Sequence, residues 1–248
     1  AGLFRTPFAA TAFAMEVLTV GRLEHRALLP VALAALCASV TSGLLGLEKF
    51  EFSVSAVVSW DALLLLKLAA LGVIFGLVGA AFAFLLRNAK KIAQNRLKNP
   101  VLRALSMGVV LSVVLFVLYR GRYCGLGTNL INASLSGETV YAWDWALKLA
   151  LTVLTLAAGF QGGEVTPLFS IGASLGAVLA AIFGLPVPLC AALGYAAVFG
   201  SASNTLLAPA LIGAEVFGWA NAPAFLIACA AAYAVNGNKS IYSGQILA

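Results

Sequence analysis

The chain has 248 residues, of which 62% are apolar and only 10% charged, and its mean hydropathy is +1.02. That balance excludes a soluble globular core and points to a polytopic membrane protein. Fifteen basic against nine acidic residues leave a net charge of +6, which taken alone suggests a nucleic-acid partner. The placement of those charges, described below, assigns them to membrane topology instead, and no nucleic acid is expected.

In chain order, residues 7–21 form a short apolar stretch interrupted by Glu16, and residues 28–46 a clean spanning segment. Asp61 stands where an N-cap would open a long helix running to about residue 98, apolar only over 62–86. Residues 101–119 make another span. The stretch 126–136 is short, rich in Gly, Asn and Ser, and suits a re-entrant piece. Residues 145–160, 165–183, 187–200, 205–218 and 222–235 are mostly shorter than the roughly 20 residues a straight span needs. Short, tilted, broken helices of this kind are a transporter pattern rather than that of a simple bundle. Residues 246–248 read as part of one more apolar helix.

Charge sets the expected orientation. The 87–103 linker carries Arg87, Lys90, Lys91, Arg96, Lys98 and Arg103 without an acid, which marks it cytoplasmic. The 22–26 loop, with Arg22, His25 and Arg26, is then also inside. The 47–61 loop, with Glu48, Glu51 and Asp61 against Lys49, and the 120–144 loop are outside. The four cysteines (Cys37, Cys124, Cys190, Cys229) are scattered and His25 is the single histidine, so no zinc set arises from their spacing and no disulfide framework is expected. No metal, nucleotide or organic cofactor is implied.

The most informative stretch is Gly162-Gly163-Glu164-Val165-Thr166-Pro167, followed by an apolar run to about Ile182. Pro167 suits a first helical turn, where its missing N–H would be unpaired anyway. Two glycines allow the backbone to bend and to approach a neighbour closely. A helix beginning inside hydrocarbon exposes unpaired N–H groups that something must satisfy, and an anion is favoured there by the helix dipole. Glu164 is an ionisable residue at membrane depth and therefore a functional candidate; its bland alternative is a carboxylate stabilised by the helix start.

Gly163-Glu164-Val165-Thr166-Pro167 resembles a signature of the ClC chloride channel and transporter family, whose usual form is Gly-Ile/Lys-Phe-x-Pro. Asn238-Lys239-Ser240-Ile241-Tyr242-Ser243 resembles the family segment whose tyrosine faces the central anion, and Pro7-Phe8-Ala9-Ala10-Thr11-Ala12-Phe13-Ala14-Met15-Glu16 the helix after its gating-glutamate region. The three matches occur in the family's order and cover nearly the whole chain. The resemblance implies an all-α, inverted-repeat membrane fold with broken and tilted helices: one transmembrane domain over 1–248, with 1–46 ending the first repeat, 61–236 forming the second, and 238–248 starting a final pore-lining helix. The family's first-half signatures would then lie upstream of Ala1, in a longer protein.

It also implies halide transport, of chloride or fluoride, across a lipid bilayer by a homodimer with one pore per subunit. The anion would be held by backbone N–H groups near Glu164 and Val165 and by the hydroxyl of Tyr242, with Thr166 close by. Glu164 and Thr166 depart from most members and resemble the fluoride/proton antiporter branch; Glu164 would then serve proton coupling or selectivity. Val17 stands where common chloride/proton exchangers carry a second glutamate, which fits the fluoride branch or a channel. Residues 6–17 and 205–216 match at Thr, Ala, Glu and Val, pairing Glu16 with Glu215, and the resemblance puts both at the dimer interface. Proton-coupled antiport and channel-like conduction both stay open.

Gly172-Ala173-Ser174-Leu175-Gly176 fits the Gly-x-Ser-x-Gly nucleophile elbow, but that motif needs a strand, a sharp turn and a histidine partner. Inside a helical apolar run its glycines read as a close-packing face instead. An enzyme is not expected. An intramembrane serine hydrolase and a non-transporting membrane scaffold or fragment are the alternatives.

Overall fold

The computed structural model describes residues 1–47, 52–54 and 60–247. Glu48, Lys49 and Glu51 of the expected outer acidic loop lie outside the described residues. The described chain forms ten α-helices: α1 (Pro7–Glu16), α2 (Leu28–Leu44), α3 (Ala62–Arg96), α4 (Pro100–Val117), α5 (Thr128–Ser136), α6 (Asp144–Ala158), α7 (Val165–Phe183), α8 (Val187–Ser203), α9 (Leu207–Phe217) and α10 (Ala222–Val235). Two two-residue strands, β1 (Thr19–Val20) and β2 (Ile246–Leu247), pair in parallel.

Local chemistry explains most boundaries. The carboxylate of Asp61 accepts from Leu64 N–H at 2.7 Å and caps α3 as its sequence position suggests. Asn99 caps α4 in the same way, with Pro100 in the first turn. α5 is bracketed by Gly127 and Gly137, both left-handed (φ 84° and 73°). At 35 residues α3 is about 52 Å long, far more than the roughly 30 Å of hydrocarbon, so its basic final turns reach out of the apolar layer.

α8 is buried along nearly its whole length, with α7 laid against it. Because lipid tails are as apolar as leucine, such packing is won by close approach of small residues. A Cβ at Gly172 would stand 2.0 Å from the Gly194 carbonyl oxygen, and one at Gly176 2.1 Å from that of Cys190. α3 seats on α10 likewise, Gly72 over Ala228 and Gly76 over Ala232. Ser174, fully buried, donates back to the Ser170 and Ile171 carbonyls of its own helix. The elbow motif is thus helix packing. α2 and α4 bury almost nothing inside this chain, and α2 to α4 and α7 are each long and apolar enough to cross a bilayer. All four cysteines are free.

Two expectations are corrected. The first helix does not run to residue 21. It ends at Glu16, because the chain turns there into β1. The helix expected over the end of the chain does not form within residues 238–247: Ile241 N–H is committed to the Ala202 carbonyl and Ile246 N–H to that of Leu18. Backbone donors paired outward to other elements are unavailable for i to i−4 bonds.

The faint repeat is real in space. The carboxylate of Glu16, at the end of α1, accepts from the N–H groups of Leu206, Leu207 and Ala208 at the start of α9. That of Glu215, near the end of α9, accepts from Phe8 and Ala9 at the start of α1. In the register that pairs Glu16 with Glu215, Phe8 and Ala9 fall on Leu207 and Ala208. The two helices are therefore antiparallel and related by a local twofold. Leu206 has no counterpart donor because Pro7, in its place, has no N–H.

Candidate functional site

The site is assembled at the start of α7. Glu164 occupies the N-cap position but caps nothing with its side chain, and among the described residues no acceptor is paired with the N–H of Val165 or Thr166. Pro167, buried in the first turn, has no N–H to offer. This is a helix start with its dipole and donors uncommitted, the arrangement that receives negative charge. Gly162 and Gly163 both have ordinary negative φ, and an added Cβ at either would meet nothing within 4 Å among the described residues. Their expected role in bending the backbone is thus not required by this chain's own packing.

Glu164 turns away from its helix. Its Oε1 accepts from Nζ of Lys90 at 3.2 Å, and within this chain the two side chains are 24% and 40% exposed. Lys90 lies on the basic end of α3, 74 residues away in sequence. Nothing local in the sequence links the two.

Tyr242 is carried by a loop that the end of α8 holds firmly. Asn236 Nδ2 donates to Asn204 Oδ1 and to the Lys239 carbonyl, both at 2.8 Å. Gln245 Nε2 donates to the Ser203 carbonyl at 2.8 Å, and Tyr242 N–H donates to Ser240 Oγ at 3.0 Å. The Tyr242 ring stands edge-on to Phe13 of α1 at 6.0 Å, and Phe13 in turn packs on Phe199 of α8. Phe169 of α7 stacks on Tyr195 of α8 at 3.9 Å and meets Phe199 at 5.2 Å. An aromatic chain thus joins the Tyr242 loop to the first turns of α7. Burial pushes the Tyr242 phenol up, and the charge of Glu164 adds to that shift. The Tyr242 loop and the first turns of α7 thus rest on one aromatic scaffold, with Glu164, Val165, Thr166 and Pro167 at the head of that helix.

Glu16 and Glu215 lie elsewhere. Both carboxylates face helix starts within the chain, and Glu16 is only 7% exposed.

Two charged groups escaped the sequence reading. Lys148 of α6 is 1% exposed and donates from Nζ to the carbonyls of Tyr123 (3.0 Å) and Gly125 (2.7 Å). Asp144, fully buried one turn earlier, accepts from Arg122 at 2.7 Å, from the Tyr123 hydroxyl at 2.7 Å and from Tyr141 N–H at 2.9 Å. That hydrogen bond raises the already high pKa of Arg122, while burial pushes the Tyr123 phenol up. Lys148 also borders a cavity of about 270 Å³ that Gly162, Gly163 and Pro167 line as well. The available signal was an acid and a lysine four apart inside an apolar helix.

Buried short helices, a helix start with uncommitted donors, an ionisable residue at its head and a local twofold together define a multi-pass integral membrane protein built of short, broken helices. The sequence profile of the family described as voltage gated chloride channel matches residues 1–237, and the chain belongs to that family. It is 36% identical over 251 residues to a chloride/fluoride channel protein of Pseudomonas syringae pv. tomato, covering 99% of this chain and 55% of that one. It is 26% identical over 244 residues to the voltage-gated ClC-type chloride channel ClcB of Salmonella dublin, covering 94% of this chain and 58% of that one. Among solved structures, a CLC-type fluoride/proton antiporter superposes with a TM-score of 0.98 at 54% identity, over 100% of this chain and 63% of the other. The chain spans little more than half the length of these curated relatives.

Proposed function

We propose that this chain is the part of a halide transporter that supplies one wall of the anion path, and that the transported ion is fluoride or chloride. The observation that carries the reading is the start of α7: uncommitted N–H groups at Val165 and Thr166 and a carboxylate at the head of the same turn, joined through Phe169, Phe199 and Phe13 to the loop that bears Tyr242. A partly dehydrated halide needs such donors, fixed in advance by a rigid scaffold, to replace its water. The 54% identity to a fluoride/proton antiporter favours exchange of fluoride for protons over channel-like conduction. In this reading Glu164 carries a proton or lends a hydrogen bond as the anion moves, while Lys90 balances its charged form. Ser174, spent on its own helix, gives no support to a hydrolase. We further propose a homodimer, formed through the apolar groove of about 600 Å³ that α1, α2 and α9 leave between Phe8, Met15, Leu28, Leu36, Leu207 and Trp219.

The test is Glu164→Gln in the full-length protein, with halide efflux and proton uptake followed in parallel from liposomes across a pH series. Gln keeps the size and much of the hydrogen bonding but cannot ionise. Proton uptake should fall relative to halide movement, or selectivity between fluoride and chloride should change. If both fluxes match wild type at every pH, Glu164 is only a helix-start residue, and a stability loss of about 0.3–1 kcal/mol is then its whole effect.

A further inference from the structure

The last turn of α8 ends in backbone carbonyls that no N–H of its own helix reaches. The loop that bears Tyr242 claims them. Ile241 N–H donates to the Ala202 carbonyl at 2.9 Å. The Ser203 carbonyl accepts from Gln245 Nε2 at 2.8 Å and from Ser240 Oγ at 3.4 Å, and the same Ser240 oxygen accepts from Tyr242 N–H at 3.0 Å. Asn236 Nδ2 donates both to Oδ1 of Asn204, the α8 C-cap, and to the Lys239 carbonyl. Tyr242 is thus gripped from both sides by one helix end, through Asn236 and Ser240 before it and Gln245 after it. Its own hydroxyl donates to no atom among the described residues.

This clamp is not the most stable choice. Asn204 Nδ2, Asn236 Oδ1 and Gln245 Oε1 are buried and have no partner among the described residues. Turning the Asn236 amide over would set its oxygen against the Lys239 carbonyl, and turning the Gln245 amide over would set its oxygen against that of Ser203, so neither exchange rescues them. Buried amide atoms without partners destabilise a fold, and apolar side chains of similar size avoid that penalty. Stability alone therefore does not account for amides at positions 236 and 245. Geometry does, because directional hydrogen bonds hold a loop in one place where apolar contacts would let it slide.

We propose that Asn236, Ser240 and Gln245 are positioning residues for the halide: they hold the Tyr242 hydroxyl in place and keep it uncommitted. The assignment rests on the halide-transport reading above, in which that hydroxyl donates to the anion. A partly dehydrated ion is selected by donors whose positions are set in advance. A second effect follows from the acceptors that the clamp uses. The C-terminal end of a helix carries partial negative charge on its free carbonyls, which repels an anion. Donors placed on the Ala202 and Ser203 carbonyls cover that charge, so the loop that presents the hydroxyl also masks the helix end behind it.

The test is a double-mutant cycle in the full-length protein, with initial uptake of fluoride and of chloride into liposomes measured over a range of halide concentrations. Tyr242→Phe removes the hydroxyl. Gln245→Met removes the amide at nearly the same length, and with it one hydrogen bond and one unpaired oxygen, so the fold should hold. In the wild-type background Gln245→Met should raise the half-saturating halide concentration about five- to tenfold and leave the maximal rate within about twofold. In the Tyr242→Phe background it should move the same constant by less than about twofold, because the group that it positions is gone. Ser240→Ala, which takes away the acceptor of Tyr242 N–H, should show the same dependence on background, and it decides the matter if Gln245→Met does not assemble. Equal shifts in both backgrounds, or a fall in maximal rate alone, overturn the positioning role and leave these residues as braces of α8. A transporting wild type whose constants Tyr242→Phe does not move overturns it too, since the hydroxyl would then hold no halide. Wild-type liposomes that move no halide refute the transport reading itself; a wild type that transports and responds to Tyr242→Phe, with additive effects of the second substitution, refutes the positioning role alone.

Discussion

The reciprocal caps between α1 and α9 make a specific claim about stability. Glu16 is 7% exposed and its carboxylate gathers the N–H groups of Leu206, Leu207 and Ala208, which have no intrahelical partner. Each hydrogen bond to a charged group contributes about 1.5–3 kcal/mol, and the charge at the α9 start adds up to about 2 kcal/mol where it is partly buried. These terms overlap, so their sum overstates the loss. Glu16→Gln removes the charge and turns an amide NH2 toward donors, and should cost about 2 kcal/mol. Glu16→Ala strips the acceptor altogether and should cost about 4 kcal/mol, since buried N–H groups are left bare. The two caps lie one helix length apart, about 15 Å, so the Glu16→Gln and Glu215→Gln effects should add to within about 0.5 kcal/mol. Reversible unfolding in mixed micelles measures the chain's own stability, and single-molecule subunit counting in lipid measures dimerisation separately. If Glu16→Gln leaves unfolding within 0.5 kcal/mol and weakens the dimer instead, the caps are incidental and Glu16 belongs to a subunit interface.

Asp144→Asn should lower stability by about 2–3 kcal/mol, because it weakens four hydrogen bonds at once, while Arg122, partly exposed, recovers some water; the same unfolding assay reads it, and a loss under about 0.5 kcal/mol would refute the network's weight. For the proposed homodimer, single cysteines at Leu36 on α2, in a background without the four native cysteines, should cross-link between subunits in membranes, whereas cysteines at Leu66 or Leu77 on the outer face of α3 should not. Cross-linking through α3 in place of α2 would refute that face.

Most of the helical layout was legible in the sequence, for reasons that are local. Asp61 announces α3, Pro167 sits in the first turn of α7, and the glycine spacing at Gly172 and Gly176 marks a packing face; each depends on neighbours within one or two turns. The end of the chain was misread because Ile246 and Leu247 are apolar enough for a helix, while their conformation is decided by backbone pairing with residues more than 200 positions away. The pairing of Glu16 with Glu215 was visible as a repeat, but its meaning was not: similarity shows that two carboxylates correspond, and only the antiparallel packing shows that each caps the other's helix. The Lys90–Glu164 contact left no trace in sequence, since the lysine is one of six basic residues that topology alone accounts for.

That contact also bears on why an acid is tolerated at this helix start. A carboxylate near an anion's path is repelled by the anion, and in hydrocarbon it would be driven to the neutral form. Here it is turned to Lys90, away from the uncommitted donors of its own helix. In the function proposed above, the basic end of α3 would do more than the orienting that its charge suggests. On the halide-transport reading proposed above, it would offer a resting place for the charge of Glu164 outside the anion's position, so that carboxylate and anion would use the same helix start in turn rather than together. By the same proposal, an apolar residue at position 164 would leave the donors permanently to the anion, and coupling between the two would be lost.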